Sequence, residues 1–213
     1  MSHRIRFFFD AHCVNSWIGF KTLQTFQSSG FFIDCIPVLN KRLLYKRRQK
    51  EANAKFTYID PDDIVHGVYK KVASNPLKIP IPEDYERIQG EAIQQRSSAA
   101  AMFLTSLKMS YPDRFMEGVE SIGEHVWVKR SHVFRGFQIF RLAEQMGFEH
   151  RQCDSLVTSL CDYRVNDVLN KSIGEAFQHG AKSAPFYLIK NGDDEEKAND
   201  IEEAMRIIDK LIP

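Results

Sequence analysis

The sequence is poor in cysteine and lacks the patterns in which cysteines build a framework or bind a metal. Its 213 residues include four cysteines, and none of them forms a CxxC pair or a metal-ligand spacing. The histidines lack metal-ligand spacing as well, so we expect no metal. So few cysteines in a chain of this length argue against a disulfide framework and favour a reducing compartment.

An excess of charge and long apolar runs are also missing. The formal net charge is +1, which provides no general electrostatic reason to bind nucleic acid or an anionic membrane. No apolar run approaches the roughly 20 residues of a membrane-spanning helix. The sequence also lacks a P-loop, a dinucleotide fingerprint and a serine-hydrolase elbow. We therefore expect neither a nucleic acid nor a membrane as partner.

No targeting signal is readable at either end of the sequence. An apolar strand pattern begins already at Ile5, and the last three residues are not a peroxisomal SKL-type tripeptide. We expect a mitochondrial or cytoplasmic location, and a peroxisomal one stays open.

The first 40 residues predict a βαβ unit. Residues 5–9 and 31–39 are apolar runs rich in strand formers. Between them, Trp17, Phe20 and Leu23 recur at three-residue steps, as on the buried face of a helix. A strand, a helix and a strand in this order imply two parallel strands with a right-handed crossover.

The middle of the chain is helical, and strand patterns return after Gly180. Residues 76–82 contain three prolines and predict an extended connector. Residues 185–189 predict a strand, Asn191-Gly192 predicts a hairpin, and a last helix is expected to begin near Asn199 and Asp200. These elements predict an α/β thioredoxin fold with an all-helical domain inserted in its middle. We place the thioredoxin-like domain at 1–58 and 180–213, and the inserted helical domain at 59–179.

Cys13 lies where the first strand ends and the first helix begins, and Ser16 follows at CxxS spacing. The amides at a helix N-terminus favour a thiolate, so we predict a Cys13 pKa below about 8.5. We therefore name Cys13 and Ser16 as candidate catalytic residues. The alternative is that Cys13 is a buried cysteine that only packs as a small apolar side chain.

Ala184-Pro185 opens the strand that follows the helical region. An early strand–CxxS–helix and a late X-Pro–strand are the two halves of a thioredoxin-type site. We therefore predict that the Ala184–Pro185 bond is cis and faces Cys13.

The sequence resembles the family of kappa-class glutathione transferases and 2-hydroxychromene-2-carboxylate isomerases, which are related to DsbA-like proteins. Residues 9–20 (FDAHCVNSWIGF) are similar to the family opening FYFD…SPYSWLGF. Further similar segments follow in the family's order, at 99–104, Trp127, 143–147, 175–180, 184–185 and 198–201.

The resemblance implies roles for single residues. Cys13 takes the position of the family's catalytic serine, which donates a hydrogen bond to the glutathione thiolate. The backbone N–H and C=O of Ala184, next to Pro185, are implied to bind the cysteinyl part of glutathione. Asn199 and Asp200 are implied to receive the γ-glutamyl end. Alternatively, Asn199 and Asp200 only cap the last helix, with Glu202 or Glu203 completing a capping box.

The motif also differs from the family pattern. Val14 and Asn15 stand where the family has proline and tyrosine. Asn53 is the one residue that agrees with the family's GN.PP loop, and we include it among the implied glutathione-binding residues.

The leading hypothesis is a kappa-type glutathione transferase or peroxidase. The resemblance implies glutathione as co-substrate, a small electrophile as second substrate, and a homodimer. One alternative is a monothiol redox protein that uses Cys13 itself and passes through a mixed disulfide with glutathione. The other is a non-catalytic kappa-like binding protein.

Overall fold

The computed structural model describes residues 3–52, 72, 74–94, 98–131 and 133–212. Its strands are β1 (His3–Phe9), β2 (Phe31–Pro37), β3 (Phe186–Asn191) and β4 (Asp194–Ala198). They form one sheet in the order β2-β1-β3-β4. β1 and β2 are parallel, whereas β3 runs antiparallel to both β1 and β4. The parallel pairing of β1 with β2 confirms the predicted βαβ unit.

Helices connect and cover these strands. In the described part of the chain they are α1 (Val14–Gln24), α2 (Asn40–Ala52), α3 (Tyr85–Gln94), α4 (Ala99–Ser110), α5 (Phe115–Gly123), α6 (Gly136–Gln145), α7 (His150–Thr158), α8 (Tyr163–Gln178) and α9 (Ile201–Asp209). A π-helical turn, Glu124–Val128, continues α5. Residues 74–84 hold no helix or strand, in agreement with the expected connector.

The side chains of β1 alternate between the two faces of the sheet, and the core has one part on each face. Ile5, Phe7 and Phe9 pack with α1, α9 and most of the inserted helices. Phe8 points to the opposite face and packs with residues of α2, α4 and α8. All four side chains are buried, because successive strand residues face opposite sides of a sheet that is covered on both.

The last two strands form the predicted hairpin, with a small shift in the loop. Asn191 pairs with Asp194, so the two loop residues are Gly192 and Asp193 rather than Asn191 and Gly192. Gly192 has φ +63°, a conformation that favours glycine. The acidic run at 193–197 has the composition of a solvated turn. Most of it nevertheless forms β4, which pairs with β3 at the sheet edge.

The architecture is an α/β thioredoxin fold with a helical insertion between β2 and β3. The domain boundary placed at 58/59 lies outside the described residues, and the domain division stays a prediction. The helix α8, which ends just before the second boundary, packs directly against α2 and the sheet.

The insertion meets the first part of the fold at a close contact between α5 and α1. A Cβ atom built on Gly123 would lie 2.1 Å from Cζ3 and 2.2 Å from Cε3 of the Trp17 ring. Trp17 is buried, so its ring has little room to withdraw. Only a glycine allows the two helices to approach this closely.

We predict that Gly123→Ala destabilises the protein by about 1–3 kcal/mol, the range for overpacking a filled core. Gly174→Ala in α8 is the matched control, because no heavy atom of the described residues lies within 4 Å of the added methyl group. The control should gain about 0.5–1 kcal/mol from its better helix propensity. Urea unfolding of both variants measures the difference. Equal stability of the two variants would contradict the close contact.

Candidate functional site

Cys13 lies at the N-terminus of α1, close to the start of β3. The chain leaves β1 at Phe9 and turns at once, with the Cys13 N–H donating to the Asp10 carbonyl oxygen at 2.9 Å. Cys13 is the N-cap residue of α1 and is only 1% exposed. Its thiol donates a hydrogen bond to the carbonyl oxygen of Ala184, with Sγ and O 3.5 Å apart.

The sheet explains why these two distant residues meet. β1 and β3 are antiparallel neighbours, and Phe8 near the end of β1 pairs with Phe186 at the start of β3. The residues just beyond these two strand ends therefore share one edge of the sheet. The Ala184–Pro185 peptide bond is cis.

Ser16 lies in the first turn of α1 and bonds back to the end of β1. Its hydroxyl accepts a hydrogen bond from the Asp10 N–H at 3.2 Å, and the residue is buried. Ser16 thus links the first turn of α1 to the end of β1. Its chemical role as a candidate catalytic residue stays a prediction.

The predicted depression of the Cys13 pKa is wrong. Burial, followed by the negative charge of Asp10, raises the pKa of the Cys13 thiol to about 11. Hydrogen bonds from Ser16 and from the Asn15 backbone lower the pKa, but they do not compensate. Removing a thiolate from water costs more free energy than its interaction with the helix N-terminus provides. The thiol is therefore neutral at physiological pH.

The Asp10 carboxylate connects the ends of the two parallel strands. Oδ1 accepts from the N–H of His12 at 3.0 Å, and Oδ2 accepts from the N–H of Asn40 at 2.9 Å. Asn40 is the first residue of α2, and two residues separate it from the end of β2. Asp10 thus holds the start of α2 beside the turn that carries Cys13.

From this position the side chain of Asn40 reaches Ala184 with both of its polar atoms. Oδ1 accepts from the Ala184 N–H at 2.5 Å, and Nδ2 donates to the Ala184 carbonyl oxygen at 3.4 Å. Asn40 is fully buried and Ala184 is 2% exposed. The two backbone groups that the resemblance assigns to glutathione are therefore bonded within the protein.

A second carboxamide covers the start of α1. Gln89 of α3 accepts from the Val14 N–H through Oε1 at 3.0 Å, and its side chain is buried. The first amide of α1 is thereby bonded to the inserted helical region.

The other implied glutathione-binding residues lie at α9 or outside the described residues. Asp200 is the N-cap of α9, and its Oδ1 accepts from the Glu203 N–H at 2.8 Å. The Asn199 N–H donates back to the Glu203 carboxylate at 2.9 Å, so the capping interpretation is confirmed. Asn199 is exposed and Asp200 half-buried, which leaves both accessible to a ligand. Asn53 lies outside the described residues.

A small apolar cavity of about 10 Å³ lies beside the Cys13 turn. Asp10 and Ser16 form its polar end. The remaining lining residues are apolar or aromatic and come from β1, the turn after it, α1, α5 and the π-helical turn: Phe9, Ala11, Trp17, Phe20, Val119, Ile122, Gly123 and Trp127. A cavity of this volume holds at most about one water molecule, so it is not a formed pocket for a second ligand.

Within the described ranges, no group of three or more His, Cys, Asp or Glu side chains is arranged to hold a metal ion. No helix in the part of the chain that the structure describes combines the length and apolarity that a membrane span requires.

Three residues of this site were missed in the sequence: Asp10, Asn40 and Gln89. A signal for the first two was present, because each follows one of two parallel strands and such strand ends share a sheet edge. Gln89 carries no local signal, since its contact depends on how the insertion folds back over α1.

We predict that alkylation of Cys13 by iodoacetamide accelerates about tenfold per pH unit and does not level off below pH 9. The reason is that the thiolate is the reactive species and the Cys13 pKa is about 11. Mass spectrometry of the alkylated peptides measures the rate at each cysteine. Cys161 is the internal control, because it is exposed and should react first at pH 7. A Cys13 rate that exceeds that of Cys161 at pH 7 would contradict the prediction.

Comparison with known proteins rests on structure. No protein-family model and no curated protein matches the sequence. A 2-hydroxychromene-2-carboxylate isomerase aligns over 98% of this chain and 94% of its own, with 11% identity and a TM-score of 0.65. A putative protein disulfide isomerase from Nitrosomonas europaea covers 99% and 98%, with 12% identity and a TM-score of 0.63.

The cytosolic disulfide reductase DsbM from Pseudomonas aeruginosa covers 98% of both chains, with 9% identity and a TM-score of 0.62. Its structure with GSH is also similar, with 8% identity and a TM-score of 0.56. At such identities the likeness establishes the fold alone. The chain therefore has the fold that these proteins share, a thioredoxin fold with a helical insertion.

Proposed function

We propose that the protein binds glutathione where Cys13 meets Ala184, and that Cys13 serves there as a neutral hydrogen-bond donor to the glutathione sulfur. The position of the Cys13 thiol carries the proposal. It lies at the N-cap of α1 and 3.5 Å from the Ala184 carbonyl oxygen. In the kappa-class family that the sequence resembles, a serine hydroxyl takes this position and donates to the thiolate.

The raised pKa of Cys13 supports a donor role. At a pKa of about 11 the thiol keeps its proton at neutral pH and can donate it in a hydrogen bond, as a hydroxyl does. A charged Cys13 would instead repel an anionic glutathione sulfur. The property that argues against Cys13 as a nucleophile thus suits it as a donor.

Glutathione, when bound, supplies a nucleophilic thiolate. The contribution of the chain is to hold that sulfur at the N-terminus of α1, where the helix dipole favours negative charge. The backbone of Ala184 offers one donor and one acceptor to an extended peptide, as in strand addition. These two groups suit the cysteinyl part of glutathione once the Asn40 carboxamide has moved away from them.

The apolar cavity beside Cys13 marks where a second substrate would have to enter. At about 10 Å³ it holds no substrate as it stands, so Trp17, Phe20 and Trp127 would have to move apart. Their aromatic rings would then favour a small apolar electrophile over a polar one. Asp10 and Ser16 also line the cavity, so such a molecule would lie next to the bound sulfur.

The structural neighbours agree with this proposal. A DsbM structure contains GSH, and another neighbour is a 2-hydroxychromene-2-carboxylate isomerase. The structure with GSH supports glutathione as a ligand of this fold, whereas the transferase or peroxidase reaction rests on the sequence resemblance. The homodimer rests on the same resemblance, and sedimentation of the purified protein tests it.

One observation favours the non-catalytic alternative. Asn40 and Gln89 bond the backbone groups that a ligand would use, and both side chains are buried. A protein that kept this arrangement permanently would have the same fold but would not bind glutathione.

Glutathione titration tests the proposal. We expect calorimetry to show binding with a dissociation constant of about 1 mM or lower, equivalent to about −4.1 kcal/mol. Cys13→Ser should bind at least as well, because it keeps a donor and a hydroxyl donates more strongly than a thiol. Cys13→Ala should bind about tenfold more weakly because it loses one. Cys161→Ala, at an exposed position, serves as control and should leave binding unchanged. Absence of binding to the wild type at millimolar glutathione would contradict the proposal and favour the non-catalytic alternative.

Asp200→Ser tests the proposed contact to the γ-glutamyl end. Serine keeps the cap of α9 and removes the charge, whereas alanine would remove both. We predict that Asp200→Ser weakens glutathione binding about 10- to 100-fold, the equivalent of a charge-assisted hydrogen bond. Thermal unfolding should show unchanged stability. Unchanged glutathione affinity would leave Asp200 as a helix cap only.

A further inference from the structure

The Asn40 carboxamide makes the pair of hydrogen bonds that an added peptide strand would make. An extended ligand that pairs with Ala184 accepts from its N–H and donates to its C=O. Asn40 does the same through Oδ1 at 2.5 Å and Nδ2 at 3.4 Å. The primary amide has one donor and one acceptor side, like a peptide group, so it imitates the ligand.

Asn40 and a ligand cannot pair with the Ala184 backbone at the same time. The Ala184 N–H is a single donor and is bonded to Asn40. The Ala184 carbonyl oxygen accepts from both Asn40 and the Cys13 thiol, so its two lone pairs are in use. With Asn40 fully buried and Ala184 2% exposed, a ligand cannot pair with Ala184 beside the carboxamide.

The backbone of Asn40 is held independently of its side chain. Its N–H donates to Asp10 at 2.9 Å, which fixes the start of α2. Release of the carboxamide from Ala184 therefore does not require the link between the Asn40 backbone and Asp10 to break.

We infer that Asn40 is an affinity-determining residue, an internal peptide mimic that a thiol ligand must displace from Ala184 before it binds. The inference rests on the proposed function, because it takes Ala184 as the docking residue of the ligand. The apparent affinity of the wild type equals the intrinsic affinity multiplied by the fraction of molecules in which Asn40 has moved away. Removing the carboxamide should raise that fraction.

The experiment compares Asn40→Ala with the wild type by two independent readouts. The first is the glutathione dissociation constant from calorimetry, which should fall about tenfold, as expected when one competing hydrogen bond is lost. The second needs no ligand: hydrogen exchange of the Ala184 amide should accelerate at least about tenfold, because the amide loses its partner.

Asn166→Ala is the matched control. Asn166 of α8 accepts from the Arg42 guanidinium of α2 at 2.9 Å, so this variant also removes an asparagine contact to α2 but leaves Ala184 untouched. It should change neither readout. Asn40→Ser is a second variant in case Asn40→Ala does not fold. Its hydroxyl suits a helix start, is too short to bond both Ala184 groups at once, and should shift both readouts in the same direction.

The outcomes separate this inference from the proposed function. If the wild type binds glutathione and a folded Asn40 variant binds no more tightly, the peptide-mimic role is overturned while the proposed function stands. If none of the proteins binds glutathione but Ala184 exchange accelerates only in the Asn40 variants, Asn40 covers Ala184 and the proposed ligand is wrong. Equal acceleration in Asn166→Ala would also overturn the inference, since loosening of α2 would then explain the effect.

Discussion

The Asp10 carboxylate organises the edge of the sheet on which the candidate site is built. One oxygen holds the turn after β1 through the His12 N–H, and the other holds the first residue of α2 through the Asn40 N–H. Asp10 is 2% exposed, so both bonds are shielded from water. Because one side chain serves both strand ends, the positions of Cys13 and Asn40 depend on each other. Its charge also contributes to the raised Cys13 pKa.

Most of the fold could be predicted from the sequence because its signals are local. β1 is buried on both faces at its end, and the sequence shows this as three consecutive phenylalanines, Phe7 to Phe9. Gly180 and Gly192 both have positive φ and stand at the predicted ends of α8 and β3. The acidic run before α9 does not reveal a strand by its composition, because edge strands tolerate charged residues that are also typical of a loop. Its pairing with β3 depends on the hairpin register and not on its own composition.

Only part of the site could be predicted from the sequence. The approach of Cys13 to Ala184 follows from two local patterns joined by the sheet topology. The Cys13 pKa does not follow from the helix N-terminus, since desolvation depends on everything packed around the thiol. The Asn40 and Gln89 contacts bring together residues separated by 144 and 75 positions. Their polar character is visible in the sequence, but their partners are set by the tertiary fold.

Burial of the thiol changes what the replacement of serine by cysteine means. In an exposed site the exchange would turn a hydrogen-bond donor into a nucleophile. Here the same desolvation that closes the site keeps the sulfur protonated, so Cys13 stays a donor and bonds the Ala184 carbonyl oxygen. The donor is weaker, because a thiol is a poorer hydrogen-bond donor than a hydroxyl. A thiol ligand would therefore depend more on the Ala184 backbone for its affinity, and Asn40 holds the two groups of that backbone.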